Sequence, residues 1–153
     1  MTSLLPIFLL CSFAIVLPSE ALGSIQVLDI ALTRNVQDRE PLGQYKPTAF
    51  CEKDQARFGQ IPTINLSIDH SVIFWNKIAS SEAQTLRHAW HKKTEEGWTS
   101  VAQIDIKIAK SQSYRIWSSK DLRANLHQGE WMIVVSLAED QKHILCISRF
   151  LAQ

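Results

Sequence analysis

The residues with the clearest capacity for chemistry stand together at Trp117-Ser118-Ser119-Lys120. Two hydroxyls and an ammonium beside an indole can hold an anion or a row of sugar hydroxyls, with the ring as a stacking platform. Read structurally, the same stretch is a turn, in which Ser118 or Ser119 caps a short helical segment from Lys120 to Leu126. If Tyr114 and Ile116 face inward, Arg115 and Trp117 face outward together. A guanidinium over an indole contributes about 0.5–1 kcal/mol at an exposed site. Outward tryptophans are enriched at the centres of recognition surfaces. Trp75 shares a face with Ile73 and Lys77, so Trp75 and Trp117 are expected to line one sheet face, open unless the 34–70 segment covers it. The candidate binding set is therefore Trp75, Arg115, Trp117, Ser118, Ser119 and Lys120.

The other chemically able residues point to structure. His88 and His91 are three apart, which places them on opposite sides of a strand, and His70, His127 and His143 lack ligand spacing. No metal site and no cofactor is expected. His88 lies between Leu86 and Trp90 and reads as a buried histidine hydrogen-bonded to backbone. Trp90 and Trp131 fall on apolar faces, and Trp131 follows Gly129 where a sandwich domain places an aromatic to lock a corner. The Gly-x-Ser-x-Gly elbow, the His-Glu-x-x-His helix, the phosphate loop and the dinucleotide fingerprint are all missing. The paired carboxylates Glu95-Glu96 and Glu139-Asp140 fall in turns. The expectation is a non-enzymatic protein. A serine, a histidine and an acid converging in one pocket would turn it toward a hydrolase.

The elements that must position these residues follow a period of two. Ile104, Ile106 and Ile108 alternate with Asp105 and Lys107, and Trp131, Ile133, Val135 and Leu137 share a face. Such alternation marks strands with one buried face, and the β-branched and aromatic content suits a pleated surface. Seven strands are predicted, at about 25–33, 71–79, 84–91, 99–109, 113–118, 129–137 and 142–150. Polar turns separate them, as at Ser80-Ser81-Glu82-Ala83 and Glu95-Glu96-Gly97. The fold class is all-β, an immunoglobulin-like antiparallel sandwich with one short helical turn. Residues 34–70, with Pro41, Gly43, Pro47, Gly59 and Pro62, form an irregular segment, in which Ile61–Ile68 could add an edge strand.

Composition agrees with a single domain. The chain has 153 residues, 46% of them hydrophobic, and a formal net charge of +1, which excludes a disordered chain and disfavours a dedicated nucleic-acid binder. An uncharged apolar run from Leu4 to Leu17 is shorter than the roughly 20 residues a membrane helix needs. Small residues at Ala21 and Gly23 then suit signal peptidase, so residues 1–23 are read as a signal peptide and 24–153 as the exported domain, periplasmic or secreted. The alternative is an uncleaved N-terminal membrane anchor. No transmembrane span is expected in the mature chain. Its two cysteines, Cys51 and Cys146, allow one pairing, and export makes a disulfide permissible.

The order of several pieces resembles the bacterial domain-of-unknown-function family 2914. These are Arg39-Glu40-Pro41, Phe74, His88-Ala89-Trp90, Tyr114-Arg115-Ile116-Trp117-Ser118-Ser119-Lys120 and Gly129-Glu130-Trp131. They span about Val27 to Phe150. The chain departs from the family in a longer stretch between Pro41 and Asp69, which holds Cys51. The resemblance implies an exported or membrane-tethered β-domain and supplies no activity. The expected function is an envelope module that binds a protein or a surface glycan through an exposed sheet face. The alternatives are an accessory domain without a ligand of its own, and a hydrolase.

Overall fold

The computed structural model describes residues 24–46, 51 and 60–153. The expected signal segment, 1–23, lies outside the described residues, as do residues 47–50 and 52–59 of the 34–70 segment. Among the described residues nine strands are formed: β1 Ile25–Gln37, β2 Glu40–Gln44, β3 Thr63–Ile64, β4 Ser71–Ser80, β5 Gln84–Thr94, β6 Gly97–Ile108, β7 Ser111–Asp121, β8 Gly129–Leu137 and β9 Ile144–Ala152. They make a four-stranded sheet in the order β2-β1-β4-β7 and a five-stranded sheet in the order β3-β9-β8-β5-β6. The series β1-β4-β7 and β9-β8-β5-β6 follows the strand order of immunoglobulin-type sandwiches.

The alternation in sequence is what closes the sandwich. Val72, Phe74 and Ile78 of β4 and Leu86, Trp90, Ile133, Val135 and Phe150 of the facing sheet are all buried in one core. Burying each such side chain stabilises the fold by roughly 1.5–3 kcal/mol. Trp131 stacks on Phe150 with ring centres 6.0 Å apart, and its indole N–H donates to the His127 carbonyl at 2.8 Å. Gly129 opens β8 at φ 116°, a backbone state that side-chain-bearing residues rarely adopt.

Three expectations are corrected. No helical segment caps at Ser118 or Ser119, because both remain in the β4–β7 ladder, which runs on to Ser71 opposite Asp121. The chain then makes a turn in which the amides of Leu126 and His127 donate to the Arg123 carbonyl. Part of the segment expected to be irregular is regular: β1 extends to Gln37 and returns as β2. The Ile61–Ile68 strand shortens to β3, which runs parallel to β9. Asn65 ends it, its side chain accepting from the Ser67 amide at 3.0 Å and its carbonyl from the Asp69 amide at 2.8 Å.

Candidate functional site

Strand β7 decides which candidate residues face solvent. Ile116 and Ser118 pair with Asn76 and Phe74 on the inner face, while Arg115, Trp117 and Ser119 pair with Lys77, Trp75 and Ile73 on the outer face. Arg115 and Trp117 therefore face outward as expected, but no cation–π contact forms between them among the described residues. Trp117 is 43% exposed. Trp75 stands directly opposite it on β4, yet is only 1% exposed, so Trp75 is not part of an open aromatic face.

The cover over Trp75 comes from the β1–β2 hairpin. Its two turn residues, Asp38 and Arg39, have φ of 52° and 68°. Left-handed conformation suits aspartate tolerably but costs a residue such as arginine about 1 kcal/mol. Contacts across the sheet hold the turn in that state. The Trp75 indole N–H donates to the Arg39 carbonyl at 2.9 Å. The next residue, Glu40, forms an ion pair with Arg115 on β7. The hairpin tip thus lies across the outer face of the sheet from β1 to β7. Arg115 also donates to the Ser113 carbonyl at 3.2 Å, so its guanidinium is held by Glu40 and Ser113.

Beside this tip is a shallow groove of about 230 Å³, lined by Arg39, Lys107, Tyr114, Arg115 and Trp117 with Ile106 and Ile116 beneath. Arg39 and Lys107 are exposed and take no part in the ion pairs among the described residues. The groove therefore offers an indole face flanked by two available cations. A larger open depression of about 770 Å³ lies between Ser24, Ser80, Ser111 and Lys110 at one end of the sandwich, away from the tryptophans.

The rest of the candidate set is not gathered there. Ser118 is 6% exposed and points into the core, on the face opposite Ser119. The two hydroxyls cannot hold one anion. Lys120 donates to the Asp121 carbonyl at 3.3 Å. Inside the core, Ser118 accepts from the Trp90 indole N–H at 3.1 Å and meets His88 Nδ1 at 2.8 Å. His88 is fully buried, packed edge-on to Phe74, and burial pushes its pKa down to about 3. Its partner is thus a hydroxyl and not the backbone. A serine and a histidine do meet, but the third member is an indole, and solvent does not reach them. The Asn76 amide is buried beneath the same sheet without a hydrogen-bond partner among the described residues.

One further cluster was not read from the sequence, while the Cys51–Cys146 pairing that the sequence allowed is formed. Arg34 grips Asp69 with two hydrogen bonds, at 2.8 and 3.1 Å, and lies 4.2 Å over the Tyr45 ring. Burial, and then the Asp69 carboxylate, push the Tyr45 pKa up to about 12. These partners are 35 and 11 residues apart on irregular connections, so no periodicity announces them. Cys51 and Cys146 are disulfide-bonded, with Cα atoms 5.2 Å apart, which ties the chain between β2 and β3 to β9. Among the described residues, no three His, Cys, Asp or Glu side chains cluster as metal ligands, and no helix is long and apolar enough to cross a membrane.

The model of the family described as "Protein of unknown function (DUF2914)" matches residues 83–150. The match takes in the His88-Ala89-Trp90, Tyr114–Lys120 and Gly129-Glu130-Trp131 pieces, while Arg39-Glu40-Pro41 and Phe74 precede it. No curated protein matches. Among solved structures, the chain is similar to the Pseudomonas fluorescens alkylpurine DNA glycosylase AlkC bound to DNA containing an abasic site analog. The identity is 11%, the TM-score 0.49, and the similarity covers 84% of this chain and 30% of that one.

Proposed function

We propose that this chain is a non-enzymatic envelope module that binds a protein or a surface glycan through the Trp117 groove. The observation that carries the reading is Trp117 itself, 43% exposed on a rigid strand beside Arg39 and Lys107. A large apolar ring is left partly in water next to cations that form no ion pair among the described residues. It matches the aromatic and arginine composition of binding hot spots. The hairpin tip favours the same reading, since a strained turn is being held where it shapes that groove. The non-enzymatic part is supported by the burial of the Ser118–His88 pair, which no substrate in solution can meet. Export rests on the apolar run at Leu4–Leu17 and the small residues at Ala21 and Gly23.

The experiment is crosslinking of the protein to its surroundings in intact cells, comparing wild type with Trp117→Ala, together with binding to a panel of envelope glycans. Loss of a specific adduct or of glycan binding in a folded variant is the expected result. An unchanged adduct and unchanged glycan binding would overturn the groove reading and favour an accessory domain held by another surface.

A further inference from the structure

Four strand edges are left without a partner strand among the described residues: β2 and β7 in one sheet, β3 and β6 in the other. They differ in how they are protected. An edge is kept from pairing by shortness, by proline, by charge or by a bulge. β3 is two residues long, and β2 is five residues with Pro41 and Gly43 inside it. β6 carries Asp105 and Lys107, and Asp105 is locked to Arg87 at 2.7 Å. β7 is eleven residues long, without proline, with Arg115 at its centre and Lys120 and Asp121 at its end. Its central side chains, Arg115 and Trp117, are those that form the groove. A long edge without proline thus carries the most exposed indole.

We propose that the free edge of β7 is a strand-addition site for an extended acidic peptide. The inference rests on the groove reading above and names the partner's chemistry. Alternate residues of β7 turn their N–H and C=O groups away from β4, and an added strand would satisfy them as an edge-binding peptide does. Its side chains on the outer face would pack on Trp117. Its carboxylates would meet Arg39 and Lys107, the two available cations of the groove, while Arg115 stays engaged with Glu40. A chain of opposite charge would meet repulsion from the same groups.

The test uses the full chain and synthetic probes of about nine residues, a length suited to strand addition. The first alternates Glu with Val or Thr. The second replaces each Glu with Lys. The third keeps Glu but is N-methylated at alternate backbone amides. An oligogalacturonate serves as an anionic carbohydrate. Titration is followed by fluorescence and repeated on Trp117→Ala and Lys107→Glu. The acidic peptide is expected to bind saturably and to lose about tenfold or more on N-methylation and in both variants, with the Lys peptide silent. Equal binding of the N-methylated peptide overturns strand addition while leaving the groove in use. Binding of the oligogalacturonate alone overturns the peptide and keeps the groove as a glycan site. Silence of every probe overturns the inference.

Discussion

Acidification should destabilise this protein chiefly through one buried imidazole. His88 is fully buried between the sheets, with Ser118 on Nδ1, Phe74 against the ring and no partner at Nε2 among the described residues. Desolvation holds its pKa at about 3, against 6.5 for a free histidine. The folded state therefore binds fewer protons than the unfolded chain, and the stability this contributes is complete above the unfolded pKa. It is lost as the pH falls from about 6.5 toward about 3. Between about pH 7.5 and about pH 5 the linkage relation gives a loss of about 2 kcal/mol from this group alone. His91 and His127 are also lowered, chiefly by burial, and add to the same trend. The measurement is urea unfolding at the two pH values on wild type and His88→Leu. The difference between the two losses isolates His88, whatever the variant's stability at neutral pH. Equal losses in the two proteins would refute the buried neutral imidazole.

Three other perturbations have expected outcomes. Trp75→Phe removes the N–H held by the Arg39 carbonyl and part of a buried ring, so urea unfolding should show a loss of about 1 kcal/mol or more, and Trp117-dependent binding should weaken as the hairpin tip loosens. Gly129→Ala forces a side chain onto a backbone at φ 116°, and thermal unfolding should show a loss of about 1 kcal/mol or more although open space surrounds the new Cβ. Cys51→Ser opens a crosslink spanning 95 residues of chain and should lower stability by about 2–4 kcal/mol, matched by reductant on the wild type.

Strand faces were legible in the sequence wherever one side of a strand meets the core. The Ile104-Ile106-Ile108 and Trp131–Leu137 patterns each bury the face that alternation assigns them. Trp117 and Trp75 were both placed outward by the same logic and both do face outward, but the 34–70 segment covers Trp75. Parity says which way Trp75 points but not what crosses above it. The covering group is a backbone carbonyl at Arg39, 36 residues away, and carbonyls leave no mark in a sequence. Ser118 fails for the complementary reason. Its hydroxyl looked available because Ser119 follows it, yet adjacent residues of one strand face opposite sides, and the alternation that places Trp117 outward places Ser118 inward. The β1–β2 hairpin was missed because its strand Glu40–Gln44 is polar and its turn, Asp38-Arg39, lacks the glycine that normally signals left-handed backbone.

That missing glycine joins the sequence to the candidate site. A two-residue turn with both residues left-handed would be more stable as Asn-Gly, and such a sequence would need no help from the sheet. With Arg39 in the second place, the conformation depends on Trp75 donating to its carbonyl and on Glu40 pairing with Arg115. The arginine side chain is thereby presented at the rim of the Trp117 groove, where glycine would present nothing. The cost of about 1 kcal/mol falls on the turn and the benefit on the groove. Such a trade makes sense only if the groove is used. Arg39→Gly therefore separates the two roles. Stability should rise or hold as the turn relaxes, while binding of the acidic probe should fall, and a variant that binds undiminished would show that the strained residue serves the turn alone.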